Sequence, residues 1–93
     1  MEEETNSKLM KYKINFLKEN NKDILIKLVE VHQNAFRKFG FRPWNYKDIL
    51  DLFNNGSYIF YYTSNNKILG FIIANFSLDF NEIITIAVDN IYQ

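Results

Sequence analysis

The side chains that could carry out catalysis are few in this 93-residue chain, and they exclude several kinds of site. The sequence has no cysteine, which excludes a thiolate nucleophile, a disulfide framework and a cysteine-type zinc site. His32 is the only histidine and cannot form a histidine cluster, so no metal site is expected. Its place on the apolar face of a predicted helix favours packing over catalysis. Asp79 and Asp89 lie in predicted turns, where carboxylates are common for structural reasons.

The composition predicts one small, folded, cytoplasmic domain with neither nucleic acid nor membrane as a partner. Eleven acidic residues balance eleven basic ones, which gives no electrostatic reason to bind nucleic acid or anionic lipid. No apolar run approaches the roughly 20 residues that cross a bilayer. Residues 1–10 are mostly polar, are expected to form a flexible tail, and do not resemble a secretory signal.

A strand and two helices are predicted for the first half of the chain. Apolar and polar residues alternate over 11–16, which is the period of a half-exposed strand. Apolar residues at helical spacing predict a first helix over 22–38, and Gly40 follows it as a typical end signal. Asn45 and Asp48 have the spacing of a capping box at the start of a second helix, over 46–53.

Three consecutive strands are predicted for the second half, over 58–63, 68–76 and 82–88. Asn65 and Asn66 tolerate the positive φ angles of a two-residue hairpin turn between the first two of them. The β-branched, nearly all-apolar run from Ile83 to Val88 predicts a strand buried on both faces. The order β-α-α-β-β-β predicts an α+β fold with a mainly antiparallel sheet. Gly70 indicates a bulge or a close approach of two backbones.

The segment from Ile84 to Gln93 resembles the fourth strand and following turn of the GNAT N-acetyltransferases, in particular the ribosomal-protein alanine N-acetyltransferase group. The element order agrees, because GNAT domains begin with a strand, two helices and three antiparallel strands. Pro43-Trp44-Asn45, after Ala35-Phe36, is similar to the Phe-Pro-Trp-Ser motif between the two helices of the family, although residues 37–42 are additional here. The resemblance covers about 11–93, a partial acetyltransferase domain.

This resemblance implies transfer of an acetyl group from acetyl-CoA to an amine, which in that group is a protein N-terminus. Backbone groups of Ile86, Ala87 and Val88 would pair with the pantetheine arm and the thioester carbonyl of acetyl-CoA; otherwise these are plain core residues. Glu82, at the start of the same strand, is a candidate general base acting through water. The alternative for Glu82 is a solvated carboxylate.

Phe41, Pro43 and Trp44 lie on the loop that, in the family, shapes the groove for the peptide substrate. An aromatic loop could grip a protein N-terminus. Equally, the loop could fold back and bury Trp44 in the core.

A glycine-rich loop and a helix follow the fourth strand in the family and hold the pyrophosphate of acetyl-CoA, and Gln93 would be the first residue of that loop. We therefore expect weak or no acetyl-CoA binding by these 93 residues alone, because each missing bond to phosphate is worth about 1.5–3 kcal/mol. The partner would be a second chain carrying the carboxy-terminal half of the fold. The alternatives are a non-catalytic remnant and a small α+β interaction module.

Overall fold

The computed structural model describes residues 12–40 and 43–89, except the side chain of residue 38. The predicted tail, residue 11, Phe41 and residues 90–93 lie outside the described residues. The elements, in chain order, are β1 Tyr12–Phe16, α1 Lys22–Phe36, α2 Tyr46–Asn54, β2 Tyr58–Ser64, β3 Lys67–Phe76 and β4 Asn81–Val88. This order confirms the predicted α+β fold.

The four strands form one antiparallel sheet in the order β1-β2-β3-β4. Asn65 and Asn66, with φ angles of 53° and 68°, make the predicted two-residue turn between β2 and β3. The predicted close approach at Gly70 is also confirmed, because a Cβ there would lie 2.7 Å from the carbonyl oxygen of Ala87. Next to it, Leu69 is an extra residue in the pairing of β3 with β2, which is a β-bulge.

Both helices begin at residues that satisfy their first amide groups. The Asn21 side chain accepts a hydrogen bond from the amide of Ile24, and Asn45 and Asp48 form the predicted capping box, at 3.0 and 2.8 Å. The first helix ends two residues earlier than predicted, because residues 37–39 tighten into a 3-10 helix that Gly40 ends with a φ of 74°.

The core lies between the two helices and one face of the sheet, called here the covered face. Its innermost side chains are almost completely inaccessible to solvent and come from both helices and from β2 and β3: Leu25, Leu28, Ile49, Ile59 and Ile73. Trp44, on the loop between the helices, packs against the edge of this core.

The other face of the sheet, called here the open face, carries no helix among the described residues. Its exposed apolar side chains come from all four strands: Tyr12, Ile14, Phe16, Tyr58, Tyr62, Ile72, Phe76, Ile83, Ile86 and Val88. The pattern of β1 correctly predicted a strand, and its apolar side lies on this face.

The prediction that β4 is buried on both faces is wrong. Ile83 and Ile86 are 60% and 53% exposed, whereas Ala87 is buried against the helices. β4 is an edge strand, and only one of its faces is covered. A short β-branched run occurs both in strands covered on two faces and in edge strands covered on one, so the pattern could not distinguish these two cases.

Candidate active site

The backbone of β4 alternates between groups bonded to β3 and groups directed away from it. The amide of Asp89 donates to the carbonyl oxygen of Leu69 at 2.8 Å. In the same antiparallel register, Ala87 opposite Phe71 is the next hydrogen-bonded pair. The amide and carbonyl groups of the intervening residues, Ile86 and Val88, therefore point to the outer edge of the sheet.

This alternation separates the three predicted cofactor-binding residues into two kinds. Ile86 and Val88 direct backbone groups to the outer edge of β4. Ala87 uses its backbone for β3 and buries its side chain in the core. The alternative interpretation, a plain core residue, therefore describes Ala87 well.

A groove of about 680 Å³ runs across the open face beside these residues. Tyr12 and Tyr62, stacked with ring centroids 5.3 Å apart, form one wall, and Ile86 and Val88 form the other. Gly70 and Ile72 form the floor. Every lining residue is apolar, a tyrosine or a glycine. The sequence analysis missed this groove, although the apolar alternation in β1 was a signal of it.

Glu82 lies exposed at the far end of β4 from the groove. A second β-bulge separates the two, because Ile84 is an extra residue between the pairs Thr85–Ile73 and Ile83–Ala74. Glu82 and Ile86 are four positions apart, which is about 13 Å along a strand. Direct proton transfer between Glu82 and a group held at Ile86 would have to cross that distance, so water would have to relay it.

Trp44 is held against α1 by two different contacts. Its indole stacks on the His32 imidazole, with centroids 4.3 Å apart and planes 12° apart. Its carbonyl oxygen accepts a hydrogen bond from the Gln33 side chain at 3.1 Å. These contacts agree with the alternative in which the loop folds back on the core. Pro43 is exposed, and Phe41 lies outside the described residues.

His32 is buried among aromatic rings, and its Nδ1 has no hydrogen-bond partner among the residues that the structure describes. Burial lowers the pKa of His32 below its ordinary value, and the nearby Asp48 carboxylate partly opposes that shift. The imidazole is therefore a neutral packing element at neutral pH, in agreement with its predicted role.

Other kinds of site are not found in the described part of the chain. Residues 12–40 and 43–89 contain no group of three or more His, Cys, Asp or Glu side chains placed to hold a metal ion. Across the same residues, no helix has the length and apolar character needed to span a membrane.

No protein-family model and no curated protein matches the chain, but solved structures do. The ribosomal-protein-S18-alanine N-acetyltransferase from Escherichia coli matches with a TM-score of 0.72 and 26% identity, over 89% of this chain and 49% of that chain. An aminoglycoside acetyltransferase from an uncultured soil metagenomic sample, solved with sisomicin, matches with a TM-score of 0.66 and 26% identity, over 88% of this chain and 59% of that one.

The chain has a GNAT-like N-acetyltransferase fold. A protein from Pyrococcus horikoshii OT3 shares this GNAT-like fold with a TM-score of 0.63 and 23% identity, over 89% of this chain and 61% of that one. The chain therefore spans between about half and three fifths of the length of these matched structures. The family predicted by resemblance is confirmed at the level of the fold.

Proposed function

We propose that these 93 residues form the amino-terminal half of an enzyme that transfers an acetyl group from acetyl-CoA to an amine. The observation that carries this proposal is the match of nearly the whole chain to half of an N-acetyltransferase, at a TM-score of 0.72. The outward backbone of Ile86 on β4 is compatible with this function, because an extended co-substrate that contains amide groups can pair with an edge strand.

The residues present fit the pantetheine arm of acetyl-CoA at β4. That arm contains amide groups, and the outward amide and carbonyl of Ile86 can bond to them as a neighbouring strand would. Val88 has the same position in the register and, with Ala87, is proposed to lie beside the thioester end of acetyl-CoA. Acetyl-CoA supplies an acetyl group activated as a thioester. The acceptor nitrogen would form an amide bond as the carbon–sulfur bond breaks, a general base would take the proton of the amine, and CoA would leave as a thiolate that takes up a proton.

Glu82 is the carboxylate that β4 itself offers for that base. At about 13 Å from Ile86, it would act through water rather than by direct contact. Replacement of Glu82 by glutamine, in a protein that carries both halves of the fold, removes the base and keeps the size of the side chain. A loss of turnover with unchanged acetyl-CoA binding would support this role, and unchanged turnover would assign Glu82 to the solvated surface.

The acceptor is proposed to be a protein N-terminal α-amine. The E. coli neighbour is named for a ribosomal-protein alanine, and the soil enzyme for an aminoglycoside. Both names indicate amine acceptors. The loop that carries Phe41, Pro43 and Trp44 is proposed to contact the acceptor amine. Trp44 would act by fixing the shape of this loop, since one face of its indole is stacked on His32.

The 93 residues alone are proposed to be inactive. A second chain, or a longer product, would supply the other half of the matched fold, including the phosphate-binding loop. A non-catalytic remnant and a small interaction module remain the alternative proposals. Both predict that supplying the other half does not produce acetyl-CoA binding.

Isothermal titration of acetyl-CoA tests the proposal on two proteins. One is the 93-residue chain, and the other is a chimera in which the carboxy-terminal half of the E. coli enzyme follows Gln93. We expect binding only to the chimera. Micromolar binding by the 93 residues alone would contradict the proposed inactivity, and absence of binding by a folded chimera would contradict the proposed function.

The role of β4 is tested in that chimera by Ile86→Pro, with Ile86→Val as the matched control. Proline removes the outward amide without removing a bond to β3, and edge strands tolerate it at such positions. One lost amide hydrogen bond is worth about 0.5–1.5 kcal/mol, so affinity should fall about two- to thirteenfold. Valine keeps the amide and should leave the affinity unchanged.

A further inference from the structure

Two neighbouring residues of α1, Gln33 and Asn34, hold different parts of the candidate active site. Successive residues of an α-helix are turned by about 100° around its axis, because one turn contains about 3.6 residues. The two side chains therefore leave the helix in different directions. Gln33 reaches the loop between the helices, and Asn34 reaches the end of β4. Both residues are half-buried.

The contact of Gln33 fixes the backbone of Trp44. The Nε2 atom of Gln33 donates to the carbonyl oxygen of Trp44 at 3.1 Å. The indole of Trp44 is held separately, by its stack on His32. The backbone and the side chain of Trp44 are thus both attached to α1, directly before Asn45 begins the capping box of α2. These contacts set the position of the part of the loop that the proposed function assigns to the acceptor.

The contact of Asn34 fixes the residue at which the chain leaves β4. The Nδ2 atom of Asn34 donates to the carboxylate of Asp89 at 3.3 Å. The backbone amide of Asp89 donates to the carbonyl oxygen of Leu69 at 2.8 Å. Asp89 directly follows Val88, the last residue of β4. The direction in which the chain continues from β4 therefore depends on contacts with both β3 and α1.

Arg37 gives the amide of Asn34 a defined orientation. A guanidinium nitrogen of Arg37 donates to Oδ1 of Asn34 at 3.1 Å, and this directs the amide nitrogen toward Asp89. Asparagine forms helices less readily than alanine, because its side chain competes for backbone hydrogen bonds. The place of Asn34 on α1 is therefore explained by its two side-chain bonds and not by helix propensity.

We propose that Gln33 and Asn34 are positioning residues, each for one of the two co-substrates. Gln33 positions the acceptor through Trp44 and its loop. Asn34 positions acetyl-CoA through Asp89, which joins β4 to the residues that are proposed to lead into the phosphate-binding loop. Neither side chain contacts a substrate in this role. This inference rests on the proposed function and adds to it which residues of α1 set the affinity for each co-substrate.

Loosening either contact should weaken the binding of one co-substrate only. A site that adopts its binding shape for a fraction of the time has its affinity reduced by that fraction. If the released loop keeps its shape for about one fifth of the time, the acceptor KM rises about fivefold. The same reasoning applies to the end of β4 and the dissociation constant of acetyl-CoA.

The experiment replaces each amide by a carboxylate of the same size, in the chimera with the carboxy-terminal half of the E. coli enzyme. Gln33→Glu removes the donor to Trp44 and turns a carboxylate toward its carbonyl oxygen. Asn34→Asp places a second carboxylate beside that of Asp89, where like charges repel, and keeps an acceptor for Arg37. Each variant adds one negative charge to the same turn of α1, so each is the matched control for the other.

Two constants are measured for the unsubstituted chimera and for both variants. Isothermal titration gives the dissociation constant of acetyl-CoA. Steady-state acetylation of a short peptide that begins with alanine, at saturating acetyl-CoA, gives the acceptor KM and kcat. We expect Gln33→Glu to raise the acceptor KM at least about fivefold and to change the acetyl-CoA constant less than about twofold. Asn34→Asp should show the reverse pattern, and kcat at saturation should stay within about twofold in both variants.

Two further measurements on the 93-residue chain do not depend on acetyl transfer. Trp44 is the only tryptophan, so acrylamide quenching of its fluorescence reports how firmly the loop is held. Quenching should increase in Gln33→Glu and stay unchanged in Asn34→Asp. Hydrogen exchange of the Asp89 amide, measured by NMR, should accelerate in Asn34→Asp alone. Circular dichroism shows whether both variants are folded.

A rise of both constants in one variant overturns the proposal, because it indicates a general disturbance of the fold. A variant that leaves its own constant unchanged overturns the proposal for that residue. Absence of acetyl-CoA binding by the folded, unsubstituted chimera counts against the proposed function instead. Quenching and hydrogen exchange in the 93-residue chain then decide the inference: the two expected changes support it, and unchanged values overturn it.

Discussion

The two faces of this sheet are made of similar residues in very different surroundings. Phe71 and Ile72 are neighbours on β3, yet Phe71 is 3% exposed and Ile72 is 38% exposed. The covered face packs against α1 and α2, and the open face packs against nothing in residues 12–40 and 43–89. Apolar side chains on both faces are typical of a sheet that lies between two layers, and residues 12–40 and 43–89 supply one of them.

The largest expected difference between the two faces concerns stability. Ile73→Ala, on the covered face, removes a fully buried side chain and should lower the free energy of unfolding by about 2–5 kcal/mol. Ile72→Ala, one residue away on the open face, should change it by less than about 0.5 kcal/mol. Urea denaturation measures both. Equal losses would mean that the open face is buried in solution.

A smaller loss of stability is expected when Gly70 is substituted, because the backbones of β3 and β4 approach closely there. Gly70→Ala places a Cβ against the carbonyl oxygen of Ala87 and should cost about 1–3 kcal/mol through a shift of β4. Ala74→Ser is the control variant. It adds one atom to a residue on the same side of β3, away from the contact between Gly70 and Ala87. Thermal unfolding compares them, and a neutral Gly70→Ala would show that β4 moves freely.

The free energy of unfolding should also depend on pH through His32, which packs on the covered face, and this change should be smaller than those of the two substitutions above. Its lowered pKa means that the unfolded chain takes up a proton more readily than the folded one. The contribution of neutral His32 is therefore complete above pH 6.5 and is lost as pH falls toward the folded pKa. Chemical denaturation between pH 7 and 5 should show stability decreasing with acid. His32→Phe should flatten that dependence.

Trp44 reports on the same event, because it is the only tryptophan of the chain. A protonated imidazole stacked on the indole should change the fluorescence of the folded chain at the acidic end of the pH range in which stability falls, near the folded pKa of His32. Identical pH profiles of the wild-type chain and His32→Phe would contradict the buried, neutral imidazole.

The smallest effect on stability is expected for charge on the open face. Ile14→Lys and Ile72→Lys together should leave the melting temperature of the 93-residue chain within a few degrees, because neither side chain is buried there. Solubility should rise, since two charges interrupt the apolar patch. Ile59→Lys, on the covered face, is the contrasting variant and should prevent folding. A large loss of stability in the double variant would show that the open face is already occupied.

Local features were predictable because they depend on neighbouring residues. The turn at Asn65 and Asn66 follows from their tolerance of positive φ. The capping box follows from the spacing of Asn45 and Asp48. Gly70 also indicated the close approach of strands, although its partner, Ala87, could not be identified from local pattern.

The candidate site was predictable only in part. The resemblance indicated residues 86–88, but it could not separate Ala87 from its neighbours, because the direction of a backbone amide depends on strand register. Trp44 was recognised as part of a loop, and its stacking on His32 required the two elements to be placed in space.

The amino-acid sequence by itself determined the identity and order of the elements, since periodicity, caps and turns act within a few residues. The tertiary structure alone decided which face of each strand is covered. Ile14 and Ile86 are as apolar as any core residue, and only the packing of α1 and α2 on the opposite side leaves them exposed. Burial depends on contacts between residues far apart in the chain, and no local pattern records those contacts.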